Sequence, residues 1–233
     1  TWKVYSYNSK TAVDAIETVS VTEGSSGTSL GVLKFGGDGK LNCLQRTAYG
    51  YNRWSQSAMR QWLNSDKGVG EWWTPQNDYD RCPDQLAAKA GFLTGFDADF
   101  LEVLRPTKVV TALNTITDAT SSNSVDPLET TYDKIYLPAL EQMSIEPQLA
   151  GEGTTWDYWK RASNMTTKMK QYQTYPQIRT FAIENHTSPQ HVRLRSANRG
   201  YSCYTWYVNS SGHVASYSYA YWAGRCAPAC DFC

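Results

Sequence analysis

The sequence predicts an α+β fold in which two or three helices connect through long loops to short antiparallel strands. Three observations predict it. Apolar residues recur at helical spacing in only two long stretches, 55–64 and 83–104, whereas residues 191–233 alternate at strand spacing around a turn. Gly, Ser, Asn and Asp punctuate the chain between these stretches. No repeat with a period of about 20 to 50 residues is present, which argues against a solenoid or propeller.

The elements follow in order. WKVYSY at 2–7 alternates like an opening strand, and SLGVLKFG at 29–36 resembles a second one between Gly/Ser-rich turns. Residues 10–19 fit either helix or strand. SQSAMRQWLN at 55–64 begins with an N-cap candidate and places Met59, Trp62 and Leu63 on one helical face. From 83 to 104, Leu86, Ala87, Ala90, Leu93, Phe96, Phe100, Leu101 and Leu104 form a helical stripe broken near Gly95 and stopped by Pro106. A strand over 107–117, an exposed loop over 116–130, a short strand over 133–137 and a short helix near 155–162 come next. Val192, Leu194, Val208, Val214, Ala227 and Ala229 then recur at strand spacing around the turn Asn209-Ser210-Ser211-Gly212, which predicts an antiparallel hairpin.

With 233 residues, a single domain over 1–233 is expected, with 1–28 as an N-terminal extension. Lys plus Arg and Asp plus Glu number 22 each, so no excess positive charge exists to displace counterions from a phosphate backbone, and nucleic-acid binding is not expected. No apolar run approaches the roughly 18 to 20 residues of a membrane-spanning helix, so membrane insertion is not expected. The nine Trp and sixteen Tyr are many for this length. Trp2, Trp54, Trp62, Trp72 and Trp73 sit among turn formers, as anchors of irregular backbone. The C-terminal Tyr are interleaved with Ser, Asn, His and Gly, the set that supplies rigid contact area and adaptable hydrogen bonding in recognition loops.

Motifs for chemistry are sparse. Cys226, Cys230 and Cys233 lack a second Cys or His pair at ligand spacing, so no metal or cofactor is expected, and six cysteines leave disulfide pairing open. His186, His191 and His213 show no nucleophile-elbow or zinc-hydrolase spacing, so no catalytic residue is assigned. The pairs Asp78 with Asp80 and Asp97 with Asp99 lie beside turn and cap positions where Asp bonds locally. The sequons at Asn164, Asn185 and Asn209 are given no functional weight.

Trp54-Ser55, Arg60-Gln61-Trp62-Leu63-Asn64, Asp133-Lys134-Ile135-Tyr136-Leu137, Arg193-Leu194-Arg195-Ser196, Tyr207-Val208, Gly212-His213-Val214 and Arg225-Cys226-Ala227-Pro228-Ala229 together resemble a bacterial and phage domain family. That family is similar to the C-type lectin-like fold, in the branch of formylglycine-generating-enzyme-like domains. The resemblance extends to the variable proteins of diversity-generating retroelements, whose C-terminal region is rewritten at template adenines. Gly200, Tyr201, Cys203, Tyr204, Tyr207, Asn209, Ser211, His213, Ser216, Tyr217, Ser218, Tyr219, Tyr221 and Gly224 are reachable from such codons. Trp206, Val208, Gly212, Val214, Ala227 and Pro228 alternate with them as scaffold. Glu146-Pro147-Gln148 and Trp156-Asp157 match the calcium-lectin motifs only in part, so calcium-mediated sugar binding is not implied.

The resemblance implies a non-enzymatic domain for ligand or receptor binding, displayed on a virion or bacterial cell surface. Its partner is a cell-surface protein or glycan. The binding face over 190–233 comprises Tyr201, Tyr204, Tyr207, Asn209, Ser211, His213, Ser216, Tyr217, Ser218, Tyr219, Tyr221 and Trp222. The alternative is a decoration or assembly domain of a virion.

Overall fold

A computed structural model of the chain describes residues 2–6, 11–14, 52–76, 82–114, 127–163, 167–179, 188–201, 204–220 and 225–232. Among them are β1 Trp2–Ser6, β2 Thr11–Asp14, α1 Ala58–Leu63, α2 Asp84–Ala87, α3 Ala98–Val103, β3 Thr107–Ala112, β4 Leu128–Asp133, α4 Asp157–Ser163, β5 Val192–Ala197, β6 Tyr204–Val208, β7 Val214–Tyr219 and β8 Ala229–Asp231. The fold is α+β, with short helices and antiparallel sheets. The strand expected at 29–36 lies outside the described residues.

Strands β1, β2 and β8 form one sheet, so the opening strands share a ladder with the closing one. Strands β3 and β4 form a two-stranded ladder, and β5, β6 and β7 form a meander. The helix expected over 55–64 forms over Ala58–Leu63 only: a 3-10 turn at Trp54–Gln56 precedes α1, and the N-cap is Ser57 rather than Ser55, its side chain accepting a hydrogen bond from the Arg60 amide. Met59, Trp62 and Leu63 turn inward and meet Trp54, Leu86, Phe92, Ile135, Leu194 and Trp206 in one core.

The helical stripe expected over 83–104 breaks into three pieces. Helix α2, a 3-10 turn at Phe92–Gly95 and α3 carry it in succession. The break comes from a close approach: a Cβ on Gly91 would lie 2.2 Å from the Ser65 carbonyl oxygen, and the amides of Gly91 and Leu93 bond the carbonyls of Lys67 and Ser65. Those tertiary bonds replace the helical ones that a continuous helix needs. Leu86, Phe92 and Leu93 still reach the core, and Phe92, Phe96, Phe100 and Phe232 continue it as a chain of ring contacts at 4.8 to 5.6 Å.

Two strand boundaries also differ from expectation. Strand β3 ends at Ala112, and β4 occupies 128–133, beginning within the last residues of the expected loop and ending where the strand expected over 133–137 begins; of 134–137 only Tyr136 pairs, in an isolated bridge to Ala229. Asn64 explains the latter. Its Oδ1 accepts from the amides of Lys134 and Ile135, at 2.7 and 3.1 Å, and its Nδ2 donates to the Ile135 carbonyl at 2.8 Å. One side chain thus takes the place of a strand partner. Upstream, the buried Asp133 carboxylate accepts from Trp54 Nε1 at 2.9 Å, Arg60 Nε at 2.6 Å and Thr131 Oγ1 at 2.6 Å. These bonds join the 3-10 turn, α1 and β4 through one charged acceptor.

Candidate functional site

The β6–β7 hairpin positions the aromatic residues. Asn209 builds its turn: Oδ1 accepts from the amides of Ser211 and His213 and from Ser211 Oγ. Gly212 sits at φ 88°, and a Cβ there would lie 2.2 Å from the Tyr175 carbonyl oxygen. Only glycine allows this backbone conformation and this approach. The turn is thereby fastened to the 172–176 segment, where Tyr175 N bonds Gly212 O at 3.0 Å and Thr174 Oγ1 lies 3.2 Å from His213 Nδ1.

Alternation along β6 sends Trp206 and Val208 into the core on the face that carries Tyr204, and Thr205 and Tyr207 to the opposite face. Thr205 pairs with Ser218 and Tyr207 with Ala215, so β7 spends one residue more than β6 over that interval. The resulting bulge buries Ser216 and turns Tyr217 outward. Tyr204 contacts Tyr219 at 4.8 Å, Tyr201 at 5.3 Å and Tyr217 at 5.9 Å, and Tyr217 contacts Tyr172 at 5.7 Å. Five rings make one continuous surface. Tyr201 and Tyr217 are each 57 % exposed and Tyr172 44 %.

The surface rests on a polar underlayer. Asn52 Nδ2 donates to the carbonyls of Asn198, Tyr201 and Tyr204, and its Oδ1 accepts from Asn114. Asn198 donates to Ser216 Oγ at 2.9 Å, and Ser216 Oγ lies 2.6 Å from the Tyr172 hydroxyl. Tyr172 itself has φ 58°, a left-handed backbone unusual for a bulky residue. Its packing on the fully buried Trp206 at 5.3 Å and its bond to Ser216 hold it there.

Of the residues expected on the binding face, Tyr201, Tyr204, Tyr217 and Tyr219 come together. Asn209, Ser211 and His213 build the turn beside Tyr175. Ser216 is a correction: it is fully buried, because the bulge turns its hydroxyl toward Asn198 and Tyr172. Tyr207 is a second correction to the single face, since the pleat sends it to the opposite side, where it stacks on His191 at 6.0 Å and burial pushes its hydroxyl pKa up. Ser218 accepts from Arg193 on that side. Tyr221 and Trp222 lie outside the described residues. Tyr172 is absent from the sequence-based set; its signal was the Tyr-and-amide run Gln171-Tyr172-Gln173-Thr174-Tyr175. No Asp, Glu, Lys or Arg occurs at 171–176 or 200–224, so formal charge is missing from this part of the chain.

A second polar centre lies behind β5. Arg195 is buried with all five guanidinium N–H groups engaged: Thr111 Oγ1, the carbonyls of Leu137, Val110 and Glu152, and Gln142 Oε1. The buried Glu152 carboxylate accepts from Ser196 Oγ at 2.6 Å and the Ala112 amide at 3.1 Å. Burial pushes the Glu152 carboxyl pKa up against the pull of Arg195. At Glu141 burial also pushes upward, but the Lys168 ammonium at 2.7 Å and the amides of Gly151 and Glu152 outweigh it and hold this carboxyl below its ordinary value. Beside this centre a cleft of about 430 Å³ is lined by β3, Tyr136, residues 152–157 and Asp231. Among the described residues, no three His, Cys, Asp or Glu side chains cluster to hold a metal ion, and Cys226 and Cys230 lie buried in the core.

Glu152 gives a pH signature. A carboxyl with a raised folded-state pKa contributes stability that is present in full below its ordinary value of 4.5 and lost as pH rises through the folded-state value. Glu152→Gln therefore melts progressively higher relative to the parent chain as pH is raised from about 4.5. Thermal melts of both proteins across pH 4 to 8 read this difference; a constant offset contradicts the shift. Glu141 contributes with the opposite sign, losing stability as pH falls.

Residues 40–231 match the model of a family described as a domain of unknown function (DUF6273). No curated protein and no solved structure matches the chain.

Proposed function

We propose that the chain, which belongs to the DUF6273 family, is a non-enzymatic domain for ligand or receptor binding with a C-type lectin-like fold. It acts at a virion or bacterial surface and engages a cell-surface protein or glycan. The observation that carries this reading is the continuous surface of Tyr172, Tyr201, Tyr204, Tyr217 and Tyr219 on a buried polar and aromatic frame. Tyr offers large contact area with few rotatable bonds, and a preorganised frame reduces the entropy lost on binding. The antiparallel sheets and short helices support the finer fold assignment. Diversification at template adenines fits the exposed positions Tyr201, Tyr217 and Ser211.

The test pairs Tyr201→Ser with Tyr217→Ser. Both side chains are mainly exposed, so the double variant should melt within about 2 °C of the parent. Binding to immobilised bacterial cell envelopes from a host panel, read by surface plasmon resonance, should weaken at least about 30-fold, the equivalent of one hot-spot residue. Undiminished binding, or loss of folding along with binding, contradicts the proposal. A stable oligomer that buries Tyr217 assigns the surface to assembly. The encoding DNA tests diversification separately: a near-copy of its 3′ end differing only at adenines, beside a reverse transcriptase gene, is expected.

A further inference from the structure

We infer that the outer edge of β3 is a second binding site, which takes a short extended peptide segment through its main chain. The site is separate from the tyrosine surface. The β3–β4 ladder sets its chemistry. Leu113 N donates to Pro127 O at 2.8 Å, which fixes the phase of the register Thr107↔Asp133 to Ala112↔Leu128. Thr107, Val109 and Thr111 therefore turn their N–H and C=O groups toward β4, and Lys108, Val110 and Ala112 turn theirs away. The far side agrees with this phase: Ala112 N–H reaches Glu152 at 3.1 Å, and Val110 C=O accepts from Arg195 at 3.1 Å.

The Val110 N–H and the Lys108 C=O are left facing the cleft, and neither finds a hydrogen-bond partner among the described residues. A strand edge with a donor and an acceptor at these positions matches one residue of a parallel extended chain. Opposite Val109, that residue donates to Lys108 C=O and accepts from Val110 N–H. The cleft volume of about 430 Å³ suits a segment of a few residues. Gln142, Gly153, Trp156, Asp231, Arg195 and Glu152 also line the cleft. Carboxylates and ammonium groups both line the cleft, so main-chain pairing rather than ligand charge is the recognition element. The edge is short and bounded, which limits pairing with another full strand.

The full chain, ¹⁵N-labelled, is titrated with an equimolar library of N-acetylated, C-amidated tetrapeptides, and in parallel with a mixture of neutral tetrasaccharides. The peptide library should shift the Val110 amide resonance saturably and slow its hydrogen exchange by about tenfold or more. The saccharides should not. Val110→Pro removes the donor while sparing the β4 ladder, because the Val110 N–H points away from β4, and binding should be lost with the melting transition retained. If this variant does not fold, the Val110 exchange measurement on the parent chain decides alone. An amide unaffected by peptides, equal effects from saccharides, a folded Val110→Pro variant that binds as the parent does, or Val110 protection through dimerisation in peptide-free solution overturns the proposal.

Discussion

Replacing Arg195 by Leu is expected to remove about 3 to 5 kcal/mol of folding stability. The substitution deletes five hydrogen bonds at once and leaves the carbonyls of Val110, Leu137 and Glu152 without that donor in a buried site. It also leaves the Glu152 carboxylate without the positive charge that offsets its burial. Each unsatisfied buried acceptor costs about 1 to 3 kcal/mol before relaxation, and the total stability of a domain is about 5 to 15 kcal/mol. Urea titration followed by tryptophan fluorescence should show a midpoint much lower than the parent's with the same slope. The double variant Arg195→Leu with Glu152→Gln should recover part of the loss, because it removes the stranded charge. A midpoint close to the parent's contradicts the assigned role.

Asp133→Ala is expected to cost about 3 kcal/mol, through the loss of one buried carboxylate that serves three donors. Trp54 Nε1, Arg60 Nε and Thr131 Oγ1 all converge on it. Asp133→Asn separates charge from shape: it keeps an acceptor for Trp54 but loses the ion pair with Arg60 and should cost less. Equal midpoints for the Ala and Asn variants in the same urea titration would show that the charge carries the effect.

Much of the resemblance pattern proved to be structural when its residues were located. Arg60, Asn64, Asp133 and Arg195 fasten irregular backbone or join elements distant in sequence. Their pattern was legible, but their partners were not, because a buried charge is recognisable only by what surrounds it. The hairpin around Asn209 and Gly212 could be read because its turn chemistry is local. The helical stripe over 83–104 misled, since the contact of Gly91 with Ser65 lies outside any local window. Tyr172 escaped notice for the same reason. Its place in the surface depends on a left-handed backbone and on Trp206, thirty-four residues later (206 minus 172).

Local patterns alone determined the α+β class, the first helix, the C-terminal hairpin and the concentration of uncharged Tyr and Ser near the end of the chain. These depend on periodicity, turn residues and composition, whose physics acts over a few residues. Tertiary structure decided which of those residues share a face. The β-bulge buried Ser216 and exposed Tyr217, the pleat set Tyr207 apart from Tyr204, and the β3–β4 register turned Val110 N–H toward a cleft. A strand places successive side chains on opposite faces, so one extra residue exchanges surface for core, and that residue becomes visible only when the pairing partner is known.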